Sequence, residues 1–350
     1  MSGGVDSSVA AALLKKAGFN VVGVFMKFWK EPGEQGENKC CSLKAETDAR
    51  RVATKLEIPF YVFDFKKEFK KNVVDYFIDD YRLGNTPNPC VECNQYIKFG
   101  MFVKKALSMG ADYIATGHYA RVEKYQKGKQ TKFKLLTAKD IKKDQSYFLW
   151  TLNQGQLSKS LFPIGEYTKD QVRVMAKKWK LLVFDKKDSQ EVCFVKDKNI
   201  CEFLRKRISV KPGIIVSTEK KELGKHNGLA FYTIGQRKGL NIGGTGPYYV
   251  VKKDLRKNKL VVAKAKDDST YTKEVRLKNV KLISGDKLRT SIKCFVKIRY
   301  SSDLVLATIR SNKIIFSKKQ KAVTPGQSAV FYSTKLIKGM REVLGGGIIK

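Results

Sequence analysis

Apolar and polar positions in the first half of the chain follow two alternating periods. Ser8–Lys16 is rich in Ala and Leu and is followed by Gly18, a residue that readily closes a helix, so it predicts a helix. Val21–Met26 is a short apolar run that predicts a buried strand. Ala45, Ala49, Val52, Ala53 and Leu56 fall on one face at helical spacing. Phe60–Phe65 predicts a strand, Lys67–Tyr81 a helix, Lys98–Met109 a helix and Asp112–Thr116 a strand. Thr168 with Gln171 predicts a capping box for a helix through Trp179. Strands alternating with helices in this way predict a parallel sheet covered on both faces, the α/β class.

The pattern shortens after about residue 205. Gly213–Val216, Ala230–Ile234, Tyr248–Val251 and Leu260–Ala263 predict strands in a Gly-rich stretch. From about residue 272, Lys293–Tyr300, Leu304–Arg310, Lys313–Phe316 and Ser328–Tyr332 are strand-like runs separated by turns, the spacing of a small antiparallel barrel. The expected organisation is an α/β domain over 1–205, a central β-rich module over 206–270 and a C-terminal antiparallel β-barrel over 271–350.

Composition adds a partner class. No apolar run approaches the ~20 residues that span a bilayer, and no basic stretch leads into an apolar one as in a secretory signal. A cytoplasmic protein without a membrane partner is expected. Lys and Arg total 70 against 33 acids, and the net charge of +37 is spread along the chain, a field that attracts nucleic acid. Of the 70 basic residues 56 are Lys, a skew that genome composition alone can produce, so charge by itself leaves the partner open. The seven cysteines are odd in number and lack a secretory context, which favours ligands or nucleophiles over a disulfide framework.

Two stretches carry candidate chemistry. Ser2-Gly3-Gly4-Val5-Asp6-Ser7-Ser8 opens the first helix; its glycines let backbone approach phosphate oxygens, and the helix start supplies N–H donors. Ser2, Ser7 and Ser8 add hydroxyls, whereas Asp6 would hold magnesium or shape the loop. The string resembles the PP-loop of the ATP pyrophosphatase superfamily (adenine nucleotide alpha hydrolase-like), whose members cleave ATP between the α- and β-phosphates. Related proteins place a strand before this loop; here only Met1 precedes it, so weakened phosphate binding is expected. The second stretch, Asn85–Asn94, is expected to be a proline-stiffened loop bearing Cys90-x-x-Cys93. Half of a zinc site is the bland reading, but the adjacent pair Cys40-Cys41 is a poor partner for it.

Cys193, within Asp188–Phe194, would look like a buried thiol if taken alone. Together with the phosphate loop and the Cys90/Cys93 motif, the chain closely resembles the tRNA-specific 2-thiouridylase family over essentially its whole length. Phe25-Met26-Lys27, Thr116–Arg121, Lys143–Leu149, Tyr232–Leu240 and Arg299-Tyr300 extend the match. The resemblance implies that Cys193 carries a persulfide received from a cysteine desulfurase or a sulfur-relay protein, and that Cys93 is the second catalytic thiol. It implies ATP, with Mg2+, as the agent that adenylates the C2 oxygen of the wobble uridine in tRNAs for Lys, Glu and Gln. ATP contacts fall on Ser2, Gly3, Gly4, Val5, Asp6, Ser7, Ser8, Met26 and Gly117. Contacts to tRNA fall on Asn88, Pro89, Cys90, His118, Lys143, Asp144, Gln145, Arg299, Tyr300 and Gln327.

Cys90 stands where some members of the family have Asp, and a thiol is a poorer base than a carboxylate, so the base role is not carried over. Cys90, Cys93 and Cys193 could instead hold a [4Fe–4S] cluster with one open iron, which gives a cluster-dependent thiolase as the alternative. Two further alternatives are an amide-forming PP-loop synthetase and a non-catalytic tRNA-binding relic. His226 has no assigned role, Cys201 and Cys294 are expected to be core or bystander thiols, and Cys40-Cys41 is undecided.

Overall fold

The computed structural model describes residues 1–31, 42–187, 192–195, 199–243, 247–288 and 290–350. Helix α1 (Val5–Lys16) begins directly after Gly4 and buries Val5, Val9 and Ala10–Ala12, whose small side chains permit close packing. Helix α2 (Leu43–Lys55) is capped by the Ser42 hydroxyl, which accepts from the Ala45 N–H at 3.0 Å. It buries Ala45, Ala49, Val52 and Ala53, the face that the apolar spacing marks. The parallel sheet is built as two separate pairs among the described residues: β1 (Gly23–Lys27) beside β2 (Phe60–Asp64), and β3 (Ile114–Ala115) beside β6 (Ser160–Leu161).

Two long helical stretches differ from expectation. Residues 66–82 are helical as expected, but Lys70–Asp75 in their middle widens to π-helical winding. The second stretch starts earlier than its apolar periodicity suggests. Asn88 lies at its N-terminal boundary, Pro89 occupies the first turn, Cys93–Met101 is π-wound and Phe102–Ser108 returns to α. The Cys90/Cys93 motif therefore lies on the first turns of a helix, not in the loop the sequence predicts. Pro89 explains it: proline fits a first helical turn because its fixed φ suits the helix and its missing N–H has no partner there.

β4 (Arg121–Lys127) and β5 (Gln130–Leu136) form a hairpin that the sequence reading did not foresee. The helix Lys169–Lys178 has the expected capping box of Thr168 and Gln171. In the central module β7 (Gly213–Ser217), β8 (Glu222–His226), β9 (Tyr248–Asp254) and β10 (Lys259–Lys264) assemble in the order β8-β7-β10-β9, with β7 and β10 parallel. The strand expected at Ala230–Ile234 is absent there. Leu229–Phe231 is a single 3-10 turn that sends Leu229 and Tyr232 into the module core with Ile215, Val250, Leu260 and Val262.

The last module is antiparallel: β11 (Tyr271–Leu282), β12 (Ile292–Lys297), β13 (Val305–Arg310), β14 (Lys313–Lys321), β15 (Ser328–Ile337) and β16 (Met340–Ile349). The order β11-β14-β13-β12-β15-β16 closes through pairing of β11 with β16, giving a six-stranded barrel around Val296, Ile309, Ile314, Phe316 and Phe331. The β4–β5 hairpin leaves the first part of the chain and joins this barrel, Val343 of β16 pairing with Leu135 of β5. Trp150 and Tyr147 fasten the same junction: the Trp150 indole donates to Ser328 Oγ at 3.0 Å and the Tyr147 hydroxyl to the Ser328 carbonyl at 2.8 Å.

Candidate functional site

The phosphate loop is held from several sides. Ser8 Oγ donates to the Gly4 carbonyl at 2.8 Å, Ser7 Oγ donates to the same carbonyl at 3.2 Å, and the Ser2 N–H donates to Ser7 Oγ at 3.1 Å. Gly3 has φ +69°, and a Cβ there would lie 2.3 Å from the Ala45 carbonyl oxygen, so α2 packs directly on the loop. Gly117 closes the other side: its Cβ would come within 2.6 Å of the Ser7 nitrogen. The loop therefore meets backbone on two faces where only glycine fits. Met26 is half-buried on β1.

Asp6 lies in a polar network. Lys169, almost fully buried, donates to both of its carboxylate oxygens at 2.7 and 2.9 Å, and the Tyr119 hydroxyl donates to one of them at 2.9 Å. Lys186 Nζ donates to the Gly3 carbonyl at 2.9 Å and to Asp48 Oδ2 of α2 at 2.8 Å. Two ammonium groups thus hold a loop whose backbone donors suit an anion.

The candidate thiols share one apolar cluster. Cys93 is buried within it and half-buried Cys193 packs against it. Part of it is aromatic: Phe194, adjacent to Cys193, meets Phe69, Phe77 and Phe203 with ring centroids 5.8, 5.2 and 5.6 Å apart. Deleting one such ring would cost about 3–5 kcal/mol, so these contacts hold Phe194, the residue next to Cys193, in place. Cys90 is exposed. Among the described residues no three Cys, His, Asp or Glu side chains gather to hold a metal ion, so Cys90, Cys93 and Cys193 as placed do not fit an iron–sulfur cluster. Cys294 is a core thiol of the barrel, its pKa pushed up to about 12 by burial, and Cys201 is exposed. Cys40 and Cys41 lie outside the described residues.

The segment ahead of Cys90 is clamped by the other two modules. Gln327 Nε2 donates to the Thr86 and Pro87 carbonyls at 2.8 and 3.3 Å, and the Thr86 N–H donates to the Pro325 carbonyl at 2.8 Å. The Thr86 hydroxyl meets that of Thr233 in the central module at 3.3 Å. Pro89 is buried, and half-buried Asn88 contacts the Tyr147 hydroxyl. On the far side of the motif, Asn94 Nδ2 donates to the Phe148 carbonyl at 3.0 Å.

Several residues expected at a tRNA surface turn inward instead. The Asp144 carboxylate is buried and accepts from the Ala138 N–H, the Ser146 N–H and the Ser146 hydroxyl; burial raises its pKa. Gln145 Oε1 accepts from the Tyr119 N–H at 3.1 Å, beside the phosphate-loop network. Arg299 donates to the Ala322 carbonyl and to Thr324 Oγ1, holding a turn of the barrel. His118 is half-buried near Phe99 and Phe162, with Nδ1 2.8 Å from Thr116 Oγ1. Burial first, then Lys98, pushes its pKa well below the usual histidine value, which makes it a neutral ring at pH 7. Lys143 is half-buried, and Tyr300 remains partly exposed beside the Phe148 ring at 4.7 Å.

Sequence reasoning passed over Lys169, Tyr119, Lys186, Glu92 and Asn94. Glu92 is buried between the two cysteines of the motif, and burial followed by the neighbouring Asp80 carboxylate pushes its pKa up to about 7. Asn94 Oδ1 is a buried acceptor with no donor among the described residues. The Lys169 capping position was legible in the sequence; its reach to Asp6, across 163 residues, was not.

Comparison with known proteins places this geometry. Family models match residues 1–197 (tRNA methyl transferase HUP domain), 201–264 (tRNA methyl transferase PRC-barrel domain) and 272–349 (Aminomethyltransferase beta-barrel domain). The chain is 47% identical to the tRNA-specific 2-thiouridylase MnmA of Clostridium perfringens strain 13, over 100% of this chain and 97% of the relative. It is 46% identical to the protein of the same name in Clostridioides difficile strain 630, over 100% of this chain and 96% of the relative.

Proposed function

We propose, from the premise that this chain belongs to the tRNA-specific 2-thiouridylase MnmA family, that it is a tRNA-uridine 2-sulfurtransferase using ATP and two thiols. The observation that carries the reading is the coexistence of an anion-suited, glycine-walled loop with Cys93 and Cys193 on one apolar cluster. The C2 carbonyl of uridine is a poor electrophile with a poor leaving group. The C2 oxygen attacks the α-phosphate of ATP, pyrophosphate departs, and the oxygen is now part of AMP. The terminal sulfur of a Cys193 persulfide attacks C2 and AMP leaves. Cys93 then attacks the Cys193 sulfur; the bond to the transferred sulfur breaks, 2-thiouridine is released and a Cys93–Cys193 disulfide forms. A thiol reductant restores both cysteines for the next turnover.

Roles for the remaining residues follow from placement. Ser2–Ser8 and Gly117 would receive the phosphates and Met26 the adenine. A magnesium ion that enters with ATP would be carried mainly by phosphate oxygens, since both Asp6 carboxylate oxygens already accept from Lys169. Exposed Cys90, with Asn88, Pro89, Lys143 and Tyr300, would face the tRNA, Tyr300 by stacking on a base. Asp144, Gln145, Arg299 and Gln327 would act by positioning, since their side chains are engaged within the protein. The wobble uridine of tRNAs for Lys, Glu and Gln is the proposed target, a cysteine desulfurase or sulfur-relay protein the proposed donor, and the cytoplasm the proposed location. Residues 1–205, 206–270 and 271–350 would serve as catalytic domain, central module and tRNA-facing barrel.

Nucleoside mass spectrometry on unmodified tRNA tests this. The protein with ATP, magnesium, a desulfurase and cysteine should yield 2-thiouridine, and Cys193→Ser should yield none while binding tRNA normally. A folded, tRNA-binding protein that makes no thiouridine under aerobic or anaerobic conditions would overturn the reading in favour of a binding relic.

A further inference from the structure

The helix Lys169–Lys178 presents two basic side chains, one turn apart on the same face, to two different segments. Lys169 grips the Asp6 carboxylate of the phosphate loop. Arg173 donates to the Phe184 and Lys186 carbonyls, each at 3.1 Å, and so holds the 184–186 segment. Lys186 then reaches back to the loop, to the Gly3 carbonyl and to Asp48, which completes a ring of contacts from loop to helix to the 184–186 segment and back. Cys193 lies seven residues beyond Lys186.

We propose that Lys186 is a positioning residue that couples occupancy of the phosphate loop to the placement of the Cys193 thiol. The inference rests on the proposed function and deepens it. A coupling requires that the ligand interact differently with two states. The engaged state is the one described here: Lys186 is docked on Gly3 and Asp48, Cys193 is half-buried and Phe194 is seated among the aromatic rings. A triphosphate entering the loop adds negative charge beside the docked ammonium and favours this state over one in which Lys186 has left. Nucleotide therefore holds the persulfide-bearing segment in place while the base is being activated. The bond to a backbone carbonyl makes the link sensitive to the shape of the loop as well as to its charge.

The test is the rate at which iodoacetamide alkylates Cys193 in the full chain, counted on the Cys193 peptide by mass spectrometry, with and without ATP and magnesium and with no tRNA. ATP should slow the reaction roughly fivefold or more, the lower end of what coupled sites show. Lys186→Met should bind ATP more weakly, measured by calorimetry, and at saturating ATP should lose the response. Lys186→Arg should regain part of it. If the two sites are coupled, alkylating Cys193 should weaken ATP binding in the parent protein and leave it unchanged in Lys186→Met. ATP that binds without changing the Cys193 rate, or a Lys186→Met protein that responds like the parent, would overturn the proposal. Failure to bind ATP at all would overturn the functional reading beneath it, and the coupling with it.

Discussion

At the scale of single residues, the densest constraints lie where backbone meets backbone. Gly117→Ala puts a methyl 2.6 Å from the Ser7 nitrogen and 2.7 Å from the Asp6 carbonyl carbon, both main-chain atoms that cannot swing aside. The loop must shift, so ATP affinity should fall at least about tenfold, roughly 1.4 kcal/mol, with the fold retained; calorimetry with a circular-dichroism control checks it. Glu92 makes a different forecast. Its folded pKa, near 7, lies above the ordinary carboxylate range, so between about pH 4.5 and 7 the folded chain holds a proton that the unfolded chain has lost. Stability should therefore fall as pH rises through that window, by at most about 3 kcal/mol. Glu92→Gln should flatten the dependence; thermal melts of both proteins from pH 5 to 8 decide, and parallel curves would refute it. The candidate thiols Cys93 and Cys193, the loop and Gly117 could be singled out in the sequence because each lies in a short string of recognisable chemistry. Lys169, Lys186 and Gln327 act through contacts 138 to 241 residues away in the chain, and no local spacing encodes such a reach.

Among elements, the segment leading to Cys90 is the most informative. Its prolines suggested a loop; the chain instead uses Pro89 to start a helix, so Cys90 and Cys93 sit on winding that is continuous down to Ser108. Gln327 holds the approach to that helix by two backbone carbonyls. Gln327→Ala should lower the thiolation rate severalfold, the loss of one or two hydrogen bonds at about 1 kcal/mol each, while tRNA affinity changes little. Single-turnover thiolation beside filter binding separates the two; an equal loss of affinity would return Gln327 to the tRNA surface. The apolar periodicity located most helices and strands, yet it missed β4, β5, β6, β8, β11 and β16. β4 is polar and mostly half-exposed, and the Gly345–Gly347 run of β16 carries no side chains for a pattern to register.

For the whole molecule, charge is the quantity that acts at long range. If the net charge of +37 serves tRNA binding through phosphates, affinity should fall steeply between 50 and 200 mM salt, by about a thousandfold or more for six or more contacts. A logarithmic plot of affinity against salt measures the slope, and a flat line would separate the charge from binding. α/β class, central module and terminal barrel were readable from strand spacing alone, because period and turn frequency change along the chain. How these parts interlock was not readable, since it depends on side chains such as Trp150 meeting Ser328 across 178 positions.

The hairpin that crosses into the barrel has a practical consequence. β5 donates its edge to β16, so a cut near residue 205 or 270 would divide one continuous sheet between two fragments. Each piece would carry a bare strand edge, the open template on which chains aggregate. A barrel grafted from a relative would have to bring the matching hairpin with it, so exchange between such proteins is expected to follow the sheet and not the linear segments.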